Sequence, residues 1–273
     1  MSIRNEGPYI YQCLESIFNQ TILPDDVCII EDGSTDNTVG VITEFQPLAV
    51  VRGIQFRVYH TYSKEKDYTR LGSLWNMGLS KDFDYHLIMS GDCVIEDRYV
   101  ERLMLSMDHD EKLVAASGDP GEIKGINQPW GACRLVKNSW FFRYIGGYPR
   151  KLGYESYIIE LALNLQFRTA IFKDIKFKHL RPLGNERTFI EEGRQMRNLG
   201  YHPLYALLRI ISQRSFSKSL QMLFGYVFYY EKHDNPYYEK FDEQFREQLS
   251  KRQYSRLTNT IKGLFKISQN PAP

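Results

Sequence analysis

No stretch of the chain is apolar for long enough to cross a bilayer, which takes about 20 consecutive apolar residues, and no leader-like segment opens it. No Gly-x-Gly-x-x-Gly follows an early strand pattern and no P-loop is present, which argues against a dinucleotide-dependent oxidoreductase and a P-loop NTPase. Charge of one sign is scarce as well. The 35 basic residues against 33 acidic ones leave a formal charge of +2, too small to imply nucleic-acid binding. Cysteine is sparse and unpatterned: Cys13, Cys28, Cys93 and Cys133 show neither close pairs nor zinc-type spacing. Cys28 and Cys93 sit in or beside apolar strand patterns, so free buried thiols are expected, in a protein that is cytosolic or faces the cytosol.

What is present is ordinary globular material, 42% hydrophobic and 25% charged, in 273 residues. That length allows one large α/β domain or a domain with an appendage. Apolar runs at 27–30, 54–59, 85–89, 113–116 and 132–136 predict strands. Helical spacing lies between them, through Ile10, Leu14, Ile17 and Phe18, at 38–45 (stopping near Pro47), 71–79 and 99–107. A short helix is expected at 141–149, another helix at 155–165, and two strands at 169–172 and 175–179. Strands alternating with helices predict an α/β fold with a mostly parallel sheet. The loose stretches, Lys64 to Arg70 and Gly118 to Gly131, are too polar or too rich in Gly and Pro for elements of their own, and a long loop in a compact domain is usually functional.

Two of the strands run into acid turns. The first gives Glu31-Asp32-Gly33-Ser34-Thr35-Asp36, the second Ser90-Gly91-Asp92. In open α/β sheets ligands bind just beyond the carboxyl ends of parallel strands, so acids there are placed to meet the N–H and hydroxyl groups of a nucleoside. A plain strand-to-helix turn with solvated acids is the competing explanation. Asp36 reads as a helix cap.

After Gly200 the character changes. Leu204, Leu207, Leu208 and Ile211 form one apolar stripe, and Leu220, Leu223, Phe224, Val227 and Phe228 another, interspersed with Arg209, Arg214, Lys218 and Lys232. Lysine and arginine also exceed acid in the tail to Lys266. These helices either pack on the domain or form an amphipathic, basic membrane-surface element; the first is the simpler expectation.

Taken together the chain resembles the family 2 glycosyltransferases, which bind nucleotide sugars on a GT-A, Rossmann-like fold. The resemblance runs in order from residue 4 to about residue 182. It is carried by Arg4-Asn5-Glu6, Leu14-Glu15-Ser16-Ile17 and Asn19-Gln20-Thr21, then by the two acid turns and Asn76-Met77-Gly78. Gly146-Gly147-Tyr148-Pro149, Tyr154-Glu155 and His179 complete it. It implies a nucleotide-sugar-binding and catalytic domain over 1–200 and a helical, basic extension over 201–273. It also implies transfer of a sugar, usually with inversion, from a UDP- or GDP-type donor to a glycan or lipid-linked acceptor, with no nucleic acid involved. Asn5, Glu6, Glu31 and Asp32 would hold the nucleotide, with Asp32 favoured over Glu31. Asp92 and His179 would hold a divalent metal, Mg²⁺ or Mn²⁺, and Glu155 would be the catalytic base, with Glu160 and Glu122 as nearby rivals. Trp130 and Arg134 flank the loose loop and are candidates for the acceptor.

The sequence departs from the family pattern in several places. Ser90 stands where the first metal-site acid is expected, which removes a charge from the metal site, and Glu31 lengthens one of the nucleotide acids. The first strand is cut to Ser2-Ile3, so either the start at Met1 lies inside the gene or the sheet is a strand short; the former is favoured. Gln195-Met196-Arg197-Asn198 lacks the end of the Gln-x-x-Arg-Trp motif of processive members, which points to single addition. Ser90 and the short strand together keep open a non-catalytic nucleotide-sugar-binding or scaffold protein.

Overall fold

The computed structural model describes residues 1–63, 67, 69–121, 128–182, 189–213, 215–228 and 239–268, with side chains as far as residue 260. Lys64, Lys66, Glu122, Arg214, Lys232 and the side chain of Lys266 therefore lie outside the described residues. The chain divides into two compact units, one of 1–149 and 165–184, the other of 150–164 and 185–273.

The first unit runs β1 (Ser2–Ile3), α1 (Ile10–Phe18), β2 (Asp26–Asp32), α2 (Thr38–Arg52), β3 (Gln55–Thr61), α3 (Arg70–Asn76), β4 (Tyr85–Met89) and β5 (Cys93–Ile95). It continues with α4 (Tyr99–Asp108), β6 (Leu113–Asp119), β7 (Cys133–Lys137) and α5 (Asn138–Tyr144). After α6 (Tyr154–Asn164), which belongs to the second unit, it closes with β8 (Arg168–His179). β1, β2 and β3 form a parallel sheet in which Ser2 faces Ile30 and Ile3 faces Glu31. The other sheet is mixed, in the order β4-β7-β6-β8-β5, with β6 and β8 parallel and the other neighbours antiparallel. Its core joins α1, α2 and α4 to both sheets through Leu14, Ile29, Ile42, Phe45, Leu103 and Phe177.

Two local expectations are revised. The helix expected to stop near Pro47 runs on to Arg52 and ends at Gly53, whose φ of 70° is left-handed. Proline lacks the N–H that would bond back to the previous turn. Here only Ile42, Phe45 and Ala49 of the flanking turns are buried, and the outer face is open to water, which can take up the loose carbonyl. The strands expected at 169–172 and 175–179 are one strand, β8, whose register against β6 jumps between Gly118↔Phe172 and Asp119↔Lys176. The bulge re-aims the end of the strand and interrupts its apolar alternation.

The second unit is helical among its described residues: α6, then α7 (Phe189–Leu199), α8 (Pro203–Ile211), α9 (Phe216–Val227) and α10 (Glu243–Ser268). α7 and α9 cross with their backbones in contact. A Cβ on Gly193 would lie 2.1 Å from the Met222 carbonyl oxygen, and one on Gly225 would lie 2.0 Å from that of Ile190. The core here is Met196, Leu199, Ala206, Ile210, Met222, Phe245 and Leu249. The stripe residues are not in it. Leu204, Leu207, Leu208 and Ile211 are 42–65% exposed and Phe216 is 85% exposed, so the helices pack through other residues and the stripes themselves face outward. Within α8 the small Ala206 and the single Ile210 supply the buried face instead.

Candidate functional site

β2 delivers the first acid turn. Gly33 takes φ 73°, and a Cβ there would meet the Tyr62 ring at 2.5 Å, so the turn closes only with glycine. Glu31 is buried and occupied: one oxygen accepts the Ser34 N–H, the other lies 3.2 Å from His60 Nδ1. Burial alone would raise its pKa, but the Ser34 and His60 hydrogen bonds outweigh it and hold the carboxyl below the ordinary glutamate value. Asp32 accepts from Thr61 Oγ1 at 2.9 Å and from the Arg70 guanidinium.

The same stretch clamps the 5–7 turn. The Asn5 N–H donates to Ser34 Oγ (2.9 Å), and Asn5 Oδ1 accepts the Thr35 N–H (2.8 Å), with Asn5 itself at φ 55°. The Glu6 N–H donates to Thr38 Oγ1 (2.8 Å) and the Gly7 N–H to Asp36 Oδ2 (2.9 Å). Asp36 Oδ1 accepts the Thr38 N–H at 3.0 Å, so this acid anchors the start of α2.

β4 delivers the second acid turn against the segment that follows β1. A Cβ on Gly91 would meet Glu6 Cγ and Ile3 Cγ2, each at 2.9 Å, so the close approach of this turn to residues 3–6 favours glycine. Asp92 follows, mostly buried, and its partner is distant in sequence: Arg181 Nε donates to Asp92 Oδ2 at 3.1 Å. The same guanidinium donates through Nη2 to Glu6 Oε1 at 2.7 Å, and it lies over the Tyr9 ring at 5.5 Å. Burial pulls the Arg181 pKa down, yet the Glu6 and Asp92 carboxylates push it above the ordinary arginine value. His179 faces Cys93 across the β5–β8 register. Its ring packs against Trp130 at 6.0 Å and Phe177 at 5.4 Å. The Cys93 thiol is drawn below the ordinary cysteine value first by a hydrogen bond with Cys133 and then, against burial, by one with His179.

Asn5, Glu6, Glu31, Asp32, Asp92 and His179 thus all belong to one unit, and Arg181 joins Glu6 to Asp92. Glu155 opens α6 in the other unit and is half-buried. Its rival Glu160 is buried and paired with Arg252, a structural bond; Glu122 is outside the described residues. Arg134 is buried on β7, away from any surface an acceptor could reach directly. Two of the family motifs prove to be one staple. Asn76 Nδ2 donates to the Tyr148 carbonyl (2.9 Å) and Asn76 Oδ1 accepts the Tyr148 N–H (2.7 Å), which pins the Gly146–Pro149 turn to the end of α3. Sequence reasoning does not single out Arg181, Arg70 or Tyr9. Arg181 lies two residues past His179, but nothing local signals bonds to positions 89 and 175 residues away.

The implied metal finds a poor set of donors here. Among the described residues no group of three His, Cys, Asp or Glu side chains is placed to hold an ion. Asp92 Oδ2 carries a guanidinium, Oδ1 faces the Cys93 thiol at 3.9 Å, Ser90 supplies no charge, and the His179 ring bonds Cys93. As arranged, the donors hold an organic cation and do not fit a divalent ion.

The sequence profile described as Glycosyl transferase family 2 matches residues 1–179. Among curated proteins, the glycosyltransferase GlyG of Streptococcus pneumoniae is 28% identical over 102 residues, 37% of this chain and 31% of that protein. Hyaluronan synthase of Pasteurella multocida is 53% identical over 40 residues, 15% of this chain and 4% of that one. The matched stretch thus spans less than a third of these relatives' own length. In fold, the chain is similar to the mannosyltransferase PcManGT of Pyrobaculum calidifontis, solved with GDP-Man and Mn²⁺ (TM-score 0.55, 14% identity, 83% of this chain and 68% of that one). It is likewise similar to S. aureus TarS 1–349 solved with UDP (TM-score 0.52, 14% identity, 83% and 69%). The fold is that of the GT-A glycosyltransferases, and the chain belongs to glycosyl transferase family 2.

Proposed function

We propose that the chain transfers a single sugar from a nucleoside-diphosphate donor to an acceptor hydroxyl, with inversion, in surface glycan or glycolipid synthesis. The observation that carries the reading is the meeting of Glu6 and Asp92 at one point just beyond the ends of β1 and β4. In this reading Asn5, Glu6 and Asp32 face the nucleoside, with Glu31 shaping the turn behind them. UDP and GDP are the donor types to test, since similar folds are solved with UDP, UDP-GlcNAc and GDP-Man. In the step itself the bond from the sugar carbon to the β-phosphate oxygen breaks, and its electron pair stays on the diphosphate. The acceptor oxygen bonds that carbon, and its proton passes to a general base, for which Glu155 at the start of α6 is the candidate. An Mg²⁺ or Mn²⁺ ion would have Asp92 and His179 as protein donors, and as arranged these two fall short of a fit.

Release of nucleoside diphosphate from UDP- and GDP-sugars, with and without added glycan acceptors, tests this. Asp92→Asn and Glu155→Gln should each lower transfer by orders of magnitude while the unfolding temperature holds. Full activity in both refutes the site. Nucleotide binding by the wild-type chain without any turnover would favour the non-catalytic reading that Ser90 motivates.

The stripes carry a second proposal, that α8 and α9 rest on the cytoplasmic face of a membrane. Among the described residues no helix is long and apolar enough to cross one. Leu204, Leu207 and Ile211 of α8 and Phe216, Leu220 and Phe224 of α9 are nonetheless exposed. Residues 203–228 hold three basic side chains and no acid, as an anionic lipid surface requires. The chain should sediment with anionic vesicles at low salt; failure to do so removes the proposal.

A further inference from the structure

Glu6 and Asp92 come from turns that follow different strands, yet both carboxylates end on the Arg181 guanidinium. A guanidinium has five N–H donors in a rigid planar fork. The bonds from Nε and Nη2 and the Tyr9 ring fix the plane of that fork. Among the described residues no acceptor is recorded for Nη1, and the side chain remains 38% exposed.

We propose that Arg181 is the resident cation of the donor site: held by Glu6 and Asp92 and backed by Tyr9, its guanidinium binds the diphosphate of the nucleotide and takes up the charge left there as the sugar departs. The inference rests on the reading of the chain as a nucleotide-sugar transferase. It makes diphosphate binding independent of a divalent ion. Three features of the site favour it. The turn after β4 keeps one acid, Asp92, with Ser90 in the other position. Both Asp92 oxygens are engaged, one by Arg181 and the other by the Cys93 thiol. The His179 ring bonds Cys93. A divalent ion often manages with one carboxylate plus substrate phosphates. It cannot do so on an oxygen that already carries a guanidinium, because the two cations would then sit in contact and repel. The fork also matches paired phosphate oxygens, and a charge fixed in advance needs no reorganisation as the leaving group gains its own.

Calorimetric titration of the full chain with UDP and with GDP, in chelator and in excess Mn²⁺, tests the proposal on wild type, Arg181→Ala and Arg181→Lys. Wild type should bind one nucleotide equally well in both buffers. Arg181→Ala should bind it about tenfold more weakly or worse in both, about 1.4 kcal/mol. Arg181→Lys, which keeps the charge without the fork, should fall between them and decides the matter if the alanine variant fails to fold. Binding that demands Mn²⁺ and persists or tightens in the Arg181 variants would overturn the proposal, since Arg181 would then merely fill an ion's place; the transferase reading would stand. Absence of binding by wild type in every condition would overturn both.

Discussion

The two acid turns at the strand ends look alike in sequence and are built in opposite ways. The Glu31–Asp36 turn is closed mostly from within and by the adjacent strand: Ser34 donates back to Glu31, the Thr38 N–H to Asp36, and β3 supplies Thr61 and His60, with Arg70 on Asp32 as a partner from farther along the chain. The Ser90–Asp92 turn has little of its own. Its acid is held by Arg181, 89 residues away, which also reaches Glu6. A turn satisfied locally is a frame. A turn whose charge is balanced by one half-exposed guanidinium can change partners when a charged ligand arrives, and so is suited to chemistry.

That contrast can be broken by substitution. The largest effect expected is on turnover. Asp92→Asn should lower sugar transfer by about 10²–10³-fold, the scale seen when one preorganised electrostatic contact is removed, while the melting temperature stays within a few degrees of wild type. Glu31→Ala should do the reverse. It strands the half-buried Ser34 N–H, which costs about 1 kcal/mol, or roughly 2–4 °C of melting temperature for a domain of this size. Scanning calorimetry of the two variants side by side checks both. A smaller effect concerns acid. The Glu31 carboxyl is held below its ordinary value in the fold, so the unfolded chain binds the proton more readily. Its contribution is complete above the ordinary glutamate pKa of about 4.3 and is lost as pH falls through the lower folded value. Glu31→Gln should therefore flatten the acid limb of stability against pH, read from melting temperatures at successive pH values; an unchanged limb would show that the local bonds do not set the carboxyl's affinity for protons.

Much of the frame is legible in the sequence, because it is local. Glycine after an acid pair, an apolar run before it and helix-capping residues after it specify a strand, a left-handed turn and a helix start within ten residues. The partners are not legible, because they are not local: Arg181 follows β8 and Arg70 opens α3, and sequence spacing does not say where either side chain ends. The apolar stripes show a second limit. Spacing defines a face but not what it meets. Ile10, Leu14, Ile17 and Phe18 of α1 are buried, while Leu204, Leu207, Leu208 and Ile211 of α8 carry the same pattern into water. In α8 the buried contacts fall to Ala206 and Ile210, where a small side chain allows the close approach. The Asn76 and Gly146–Pro149 motifs read as parts of a family signature, and the structure shows what they do physically, since two hydrogen bonds between them fix one turn.

The central claim is that the two turns together bind the nucleotide part of a sugar donor. A thermal-shift titration of wild type and Asp32→Asn with UDP and GDP tests it most directly, because a ligand that binds only the folded state raises its melting temperature. One of the two nucleotides should stabilise wild type in a concentration-dependent way and should do so markedly less for Asp32→Asn. No shift with either nucleotide, or an equal shift in the variant, would contradict the account.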